Sequence, residues 1–305
     1  MKITPVVVVS CVRDLALLEL QAQSTSKYLD TTNPVFIIVN EQDPDVWFDY
    51  FNKHIRHYYA HHQLTILHKQ EFAGSWDIFV SHGINPWSAG WQSQQALKLL
   101  ISTRLNSEAY LLLDSQNFLI RSWSANYTGD RVPYRTGLFV MPVEAHYSYA
   151  RSLNINNPPD PLQTGYMAMC TPFYMHTAMV QELIEFTGGT DKFVAWFAQA
   201  SAIRSEFMLY ALWLYKQGGV DQFHAVVEDY ANPMLRDSKT NFDQKFSLFL
   251  KNIGKHLPHA WVSANHRSWG DMNQSQYQAL CRRLSHFQLE PKFDDYRSSY
   301  VDYRF

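Results

Sequence analysis

Residues 6–9 are four consecutive valines, a β-branched run suited to a strand buried on both faces. The polar pair Arg13-Asp14 follows, and then leucines at 15, 17, 18 and 20 with the tighter spacing of a helix, so the chain opens as strand, polar turn and helix. A second strand is predicted over residues 35–39 (VFIIV), entered from the Asn33-Pro34 turn and ended by Asn40-Glu41-Gln42-Asp43. Helical spacing returns over residues 45–57, a short strand over 64–67, a Gly/Ser/Trp-rich loop over 73–91 and a helix over 92–103. The most apolar segment, Tyr110-Leu111-Leu112-Leu113, delivers Asp114-Ser115-Gln116-Asn117 to its far end.

Strands alternating with helices through about the first 120 residues predict an α/β fold with a mostly parallel sheet flanked by helices. Ligands of such sheets sit beyond the carboxyl ends of the strands. Three of those ends carry polar clusters, at residues 10–14, 40–41 and 114–117. The second half is more helical: patterns over 175–186 and 203–216 are separated by loops holding Asn156-Asn157-Pro158-Pro159 and Gly188-Gly189, with a short apolar segment at 260–262 before Asn265-His266-Arg267. Neither an internal repeat nor a flexible linker divides the chain, and one domain over 1–305 with a shared cleft is expected.

Composition narrows the classes. With 305 residues, 46% hydrophobic and 18% charged, the chain is globular rather than disordered. Twenty-six basic against 28 acidic residues leave no global field for nucleic acid. Cys11, Cys170 and Cys281 are too far apart for a zinc knuckle and cannot all pair, which favours a reducing compartment. The apolar run after Lys2 is shorter than the about 7–15 residues of a secretory core, and no segment approaches the about 18 of a membrane span. A cytoplasmic protein is expected, touching a membrane at most peripherally.

Asp114 at a strand end, beside amide oxygens, offers hard ligands for Mg²⁺ or Mn²⁺ held jointly with substrate phosphates. The plainer role is capping the following turn. In Gly90-Trp91-Gln92-Ser93-Gln94-Gln95-Ala96-Leu97-Lys98, helical spacing places Gln94 and Gln95 near Lys98, able to meet a phosphate or sugar. A solvated helix face is the alternative. Glu206 is predicted at the border of an apolar stripe of Ile203, Phe207, Tyr210 and Leu214. A carboxylate against aromatics there can act as a general base, or simply serve the helix dipole. His266-Arg267 suits metal or diphosphate, and a lone histidine in an aromatic-rich chain is otherwise structural. His54, His57, His61 and His62 have no accompanying carboxylate and mark an exposed amphipathic helix rather than a metal face. Aromatic residues make up 15% of the chain, and the loop tryptophans Trp76, Trp87 and Trp91 are divided between core packing and stacking on sugars or bases.

The strand ending in Ser-Cys-Val-Arg-Asp, the Gly-Trp-x-x-Gln-Gln-x-x-Lys-Leu helix, the Leu-Asp-Ser-Gln-Asn strand end, Thr171-Pro172-Phe173, Ser205-Glu206-Phe207 and His266-Arg267 together resemble a bacterial family of uncharacterised, polysaccharide-associated proteins regarded as GT-A-type glycosyltransferases. The resemblance spans nearly the whole chain. It implies a GT-A-like (Rossmann-like) fold in which residues 1–125 bind a nucleotide-sugar and residues 126–305 shape the acceptor side. It further implies transfer of a sugar to a cell-surface glycan or glycolipid; the alternative is a non-catalytic sugar- or nucleotide-binding module. By resemblance, Asp114-Ser115-Gln116 occupies the place of the Asp-x-Asp motif that binds a divalent cation, with Gln116 replacing the second aspartate. Asn117 or His266 would then complete a weakened Mn²⁺ or Mg²⁺ site, or Lys98 and Arg13 would neutralise the diphosphate instead. The donor-binding residues so implied are Ser10, Arg13, Asn40, Gln94, Gln95, Lys98, Asp114, Ser115 and Arg267, with Glu206 as base.

Overall fold

A computed structural model describes residues 1–72, 75–81, 86–134, 143–160, 170–199, 205–226, 231–235, 241–253, 260–264, 268–269 and 272–291. The central sheet holds β1 (Val6–Ser10), β2 (Val35–Val39), β3 (Leu64–His68), β4 (Ala109–Asp114) and β7 (Phe173–His176) in the order β3-β2-β1-β4-β7. The first four run parallel and β7 runs antiparallel at the edge. Between them in sequence lie α1 (Leu15–Tyr28), α2 (Asp45–Tyr50), α3 (Ile78–Ser81) and α4 (Pro86–Leu100). The mostly parallel α/β architecture expected from the sequence is therefore present.

The valine run explains itself once paired. Val7 and Val9 enter one core with Ile38, Tyr110 and Leu112 under α4, and Val6 and Val8 enter the opposite core with Ile37, Leu111 and Leu113 against α1 and α2. Burial on both faces removes the need for polar alternation, and each valine so enclosed contributes about 1.5 kcal/mol or more relative to exposure. The register sets Val9 beside Asp114 and Ser10 beside Val39, so the three polar strand ends meet at one edge.

Helix α4 begins at Pro86, not Gln92, which removes much of the predicted loop. Proline suits the first helical turn, where its missing N–H costs nothing. Trp76 is buried and stacks on Phe79, settling it in the core, while Trp91 is half-buried and the side chain of Trp87 lies outside the described residues. The segment expected to be helical from 175 is strand β7 followed by α6 (Thr177–Phe186). Residues 45–57 form α2 and then a wider turn over Phe51–Ile55. That segment buries Trp47, Phe51 and Ile55, and His62 beyond it is also buried rather than displayed.

Two smaller sheets bind the late chain to the early one. In the first, β10 (Trp261–Ala264) pairs antiparallel with β5 (Asn117–Leu119) and parallel with β9 (Ala231–Leu235). In the second, β6 (Val132–Tyr134) pairs parallel with β8 (His224–Val226). Helix α8 (Glu206–Lys216) packs against α4, α5 (Val143–Ser152) and α6, and all of its residues from Glu206 to Leu214 are buried. Among the described residues no helix is long and apolar enough to cross a membrane.

Candidate active site

Asp114 ends β4 at the meeting point of the strand ends, where its side chain keeps 27% of its exposure. Its Oδ1 lies 2.8 Å from Nζ of Lys98, and its Oδ2 accepts a 2.7 Å hydrogen bond from the Thr171 hydroxyl. Lys98 projects from α4 into the core, only 2% exposed, and Nζ also donates to Oε1 of Glu206 at 2.9 Å. The amide nitrogen of Gln95, one turn earlier, donates to the same carboxylate in the orientation that satisfies both groups. One ammonium thus joins a strand-end carboxylate to a buried one.

The network is built from rigid parts. Tyr110 on β4 donates to the Lys98 carbonyl at 2.9 Å, fixing α4 against the strand, and the Phe207 ring lies 5.5 Å from Nζ. Burial works to lower the Lys98 pKa, but the carboxylates of Asp114 and Glu206 outweigh it and hold the ammonium above its ordinary range. Burial raises the Glu206 pKa, against the opposing pull of Lys98. Glu206 does not lie at a solvent border: α8 is buried from Glu206 to Leu214, and the carboxylate is completely enclosed.

Asn117 is consumed by the chain. Its Oδ1 accepts from the Asp114 N–H at 2.7 Å, and its amide nitrogen donates to Ser263 Oγ at 3.0 Å and to the Thr171 carbonyl at 3.4 Å. Gln21 from α1 clamps the same turn, donating to the carbonyls of Asp114 and Asn117 at 2.8 and 2.9 Å. Ser115 is buried, and its hydroxyl finds no partner among the described residues. Gln116 is half-buried on this turn.

The other strand ends are tied in. The backbone N–H of Asn40 donates to the Ser10 carbonyl, and its amide group spans the Gly90 carbonyl and the Ser93 hydroxyl, joining β2 to α4. Gln94 donates to the Val9 carbonyl at 3.3 Å. Ser10 Oγ accepts from the indole N–H of Trp47 at 3.2 Å. Glu41 accepts the Val12 N–H at 2.6 Å, holding the turn that carries the half-buried Arg13. Burial raises the Cys11 thiol pKa and, in the same turn, that of Asp14.

Ser10, Arg13, Asn40, Gln94, Gln95, Lys98, Asp114, Ser115, Gln116, Asn117 and Glu206 therefore belong to one region, whereas His266 and Arg267 lie outside the described residues. The Gln94/Lys98 helix face is not solvated: Gln92, Ser93, Gln95 and Lys98 are all buried. Thr171, in the half expected to shape the acceptor side, instead bonds Asp114 at the strand-end edge, a contact that the Thr-Pro-Phe spacing does not specify, and nothing in the helical context of Gln21 distinguishes it.

Asp114 already holds an ammonium on one oxygen and a hydroxyl on the other, Asn117 has no amide group to spare, and no group of three acidic, histidine or cysteine side chains suited to a metal occurs among the described residues.

The mostly parallel sheet with its antiparallel edge strand is the architecture of GT-A glycosyltransferases, as likeness in fold to solved structures shows. The galactosyltransferase LgtC, solved with donor and acceptor sugar analogues, superimposes with a TM-score of 0.52 at 12% identity over 97% of this chain and 100% of that one. An active-site variant of LgtC gives 0.52 at 12% identity over 96% and 100%. The bifunctional glycosyltransferase WbbM gives 0.51 at 12% identity over 98% of this chain, which spans 52% of that protein. Residues 3–256 match the family of unknown function DUF6492, and the chain belongs to that family. A search of curated proteins returned no match.

Proposed function

We propose that the protein is a glycosyltransferase that takes a sugar from a nucleotide-sugar donor and transfers it to a cell-surface glycan or glycolipid. The observation that carries this reading is the convergence of the β1, β2 and β4 ends on the Asp114–Lys98 pair, at the sheet edge where α/β folds bind ligands. The likeness to LgtC and WbbM in fold supports it. In this reading Arg13 and the β1 and β2 ends bind the donor, Asp114 orients it, and residues 126–305 shape the acceptor side. Glu206, enclosed and bonded to Lys98, is a positioning residue for that ammonium rather than a base touching the acceptor.

The neutral Gln116 and the paired Asp114 also favour a second reading, a binding module without turnover. Hydrolysis and transfer assays with UDP-, GDP- and CMP-sugars separate the two. Turnover of one donor, lost in Asp114→Ala while the circular dichroism spectrum is kept, is the expected result. Binding of a donor that is never cleaved would establish the module instead, and unchanged donor affinity in Asp114→Ala would remove Asp114 from the site.

A further inference from the structure

The strand-end carboxylate of a nucleotide-binding cleft poses an electrostatic problem, because an unpaired anion there repels an incoming diphosphate. A divalent cation is one solution. Here the protein carries a different one. Nζ of Lys98 lies 2.8 Å from Asp114 and 2.9 Å from Glu206, reached from the core side with the ammonium almost wholly enclosed. We propose that this built-in ammonium takes the place of a divalent cation in offsetting the Asp114 carboxylate, so that the site binds a nucleoside diphosphate without metal; the proposal rests on the nucleotide-sugar reading above.

Five features point the same way. Both oxygens of Asp114 are engaged, by Lys98 and by Thr171. The second motif position holds an amide, Gln116, which brings no charge to offset a dication. Asn117, the nearest substitute ligand, is spent on the Asp114 backbone, Ser263 and the Thr171 carbonyl. The ammonium itself is held on two sides and its helix is anchored by Tyr110, so it needs no ordering when ligand arrives. Arg13, half-exposed on the turn after β1, supplies a second positive charge at the same edge.

The test uses the full chain, stripped with EDTA and returned to metal-free buffer. UDP, GDP and CDP are titrated calorimetrically with EDTA present and again with millimolar Mn²⁺. Mn²⁺ alone, and Mn²⁺ with each nucleotide, are followed by electron paramagnetic resonance. Expected is a nucleotide that binds with a Kd unchanged within about twofold between the two conditions, and no stoichiometric Mn²⁺ site. Binding that requires Mn²⁺, or one Mn²⁺ held per chain at micromolar concentration, would overturn the proposal while leaving the nucleotide-sugar reading standing. Failure of all three nucleotides in both conditions would overturn that reading and the proposal with it. A folded Lys98→Met variant should lose at least about tenfold in nucleotide affinity with no rescue by Mn²⁺, and wild-type affinity in that variant would count against the proposal. Should Lys98→Met fail to fold, the wild-type titrations decide alone.

Discussion

At Glu206, two roles predict opposite kinetics. A base that removes the acceptor proton acts in the transition state, and Glu206→Gln would then depress kcat by about 10²–10⁴-fold with donor affinity intact. A positioning residue acts through Lys98, whose ammonium loses one of its two anionic partners in the variant. The enclosed carboxylate predicts the second pattern: weakened donor affinity, kcat within about tenfold of wild type, and a pH–rate profile of unchanged shape. Steady-state kinetics across pH check this, and a selective collapse of kcat would restore Glu206 as the base. Lys98→Ala tests the energetics of the same network. Removing one member of a buried ion cluster leaves uncompensated charge, so a loss of about 3–5 kcal/mol is expected in urea unfolding. A loss under about 1 kcal/mol would mean that water reaches the carboxylates.

Among the elements, β8 and α8 make the protein acid-sensitive. His224 is buried, with Nε2 2.5 Å from the Tyr210 hydroxyl, which also accepts the His176 N–H. Burial pushes its pKa down to about 3. Below about pH 6.5 the unfolded chain takes up a proton that the folded chain refuses, so this histidine's contribution, complete at neutral pH, is lost as pH falls toward its folded value. The slope is up to about 1.4 kcal/mol per pH unit. His62, His146 and His176 are displaced downward by burial as well, so His224→Gln should flatten the dependence between pH 7 and 5 without abolishing it. An unchanged slope in urea titrations would place the proton uptake elsewhere.

The same elements show where sequence was informative. The strands β1, β2 and β4 were legible because burial on both faces writes itself as unbroken apolar runs ending in polar residues. Helix α8 was legible as a helix but not in its depth: an all-round apolar helix carrying one glutamate has the same spacing whether that glutamate lies at a border or faces a lysine 108 positions earlier. Gln95 and Lys98 looked equally suited to solvent, since the partner that buries them belongs to a distant segment. The start of α4 was obscured by Gly90 and the tryptophans around it, which imitate a loop when tertiary packing is not considered.

At the scale of the whole molecule, the boundary proposed between donor and acceptor halves does not divide the structure. Strand β7 completes the central sheet beside β4, β10 pairs with β5, and Gln23 on α1 exchanges hydrogen bonds with the backbone of Glu290. Contacts of this range bind the halves into one cooperative unit, so calorimetry should show a single unfolding transition, and residues 1–125 expressed alone should lack the near-ultraviolet signature of packed aromatics. Two resolved transitions would show that the halves fold independently.

The turn that presents Asp114 is latched by Ser263, which receives the Asn117 amide across 146 positions of sequence. During synthesis the strand that carries Asp114 leaves the ribosome well before its latch exists. At about 5–20 residues per second the interval is roughly 7–30 s, during which the β4–β5 turn has its clamp from Gln21 available but not its partner strand. Until β10 has emerged the nascent chain therefore exposes the edge of β5, and chaperone occupancy of ribosome-bound chains should persist until that strand is out.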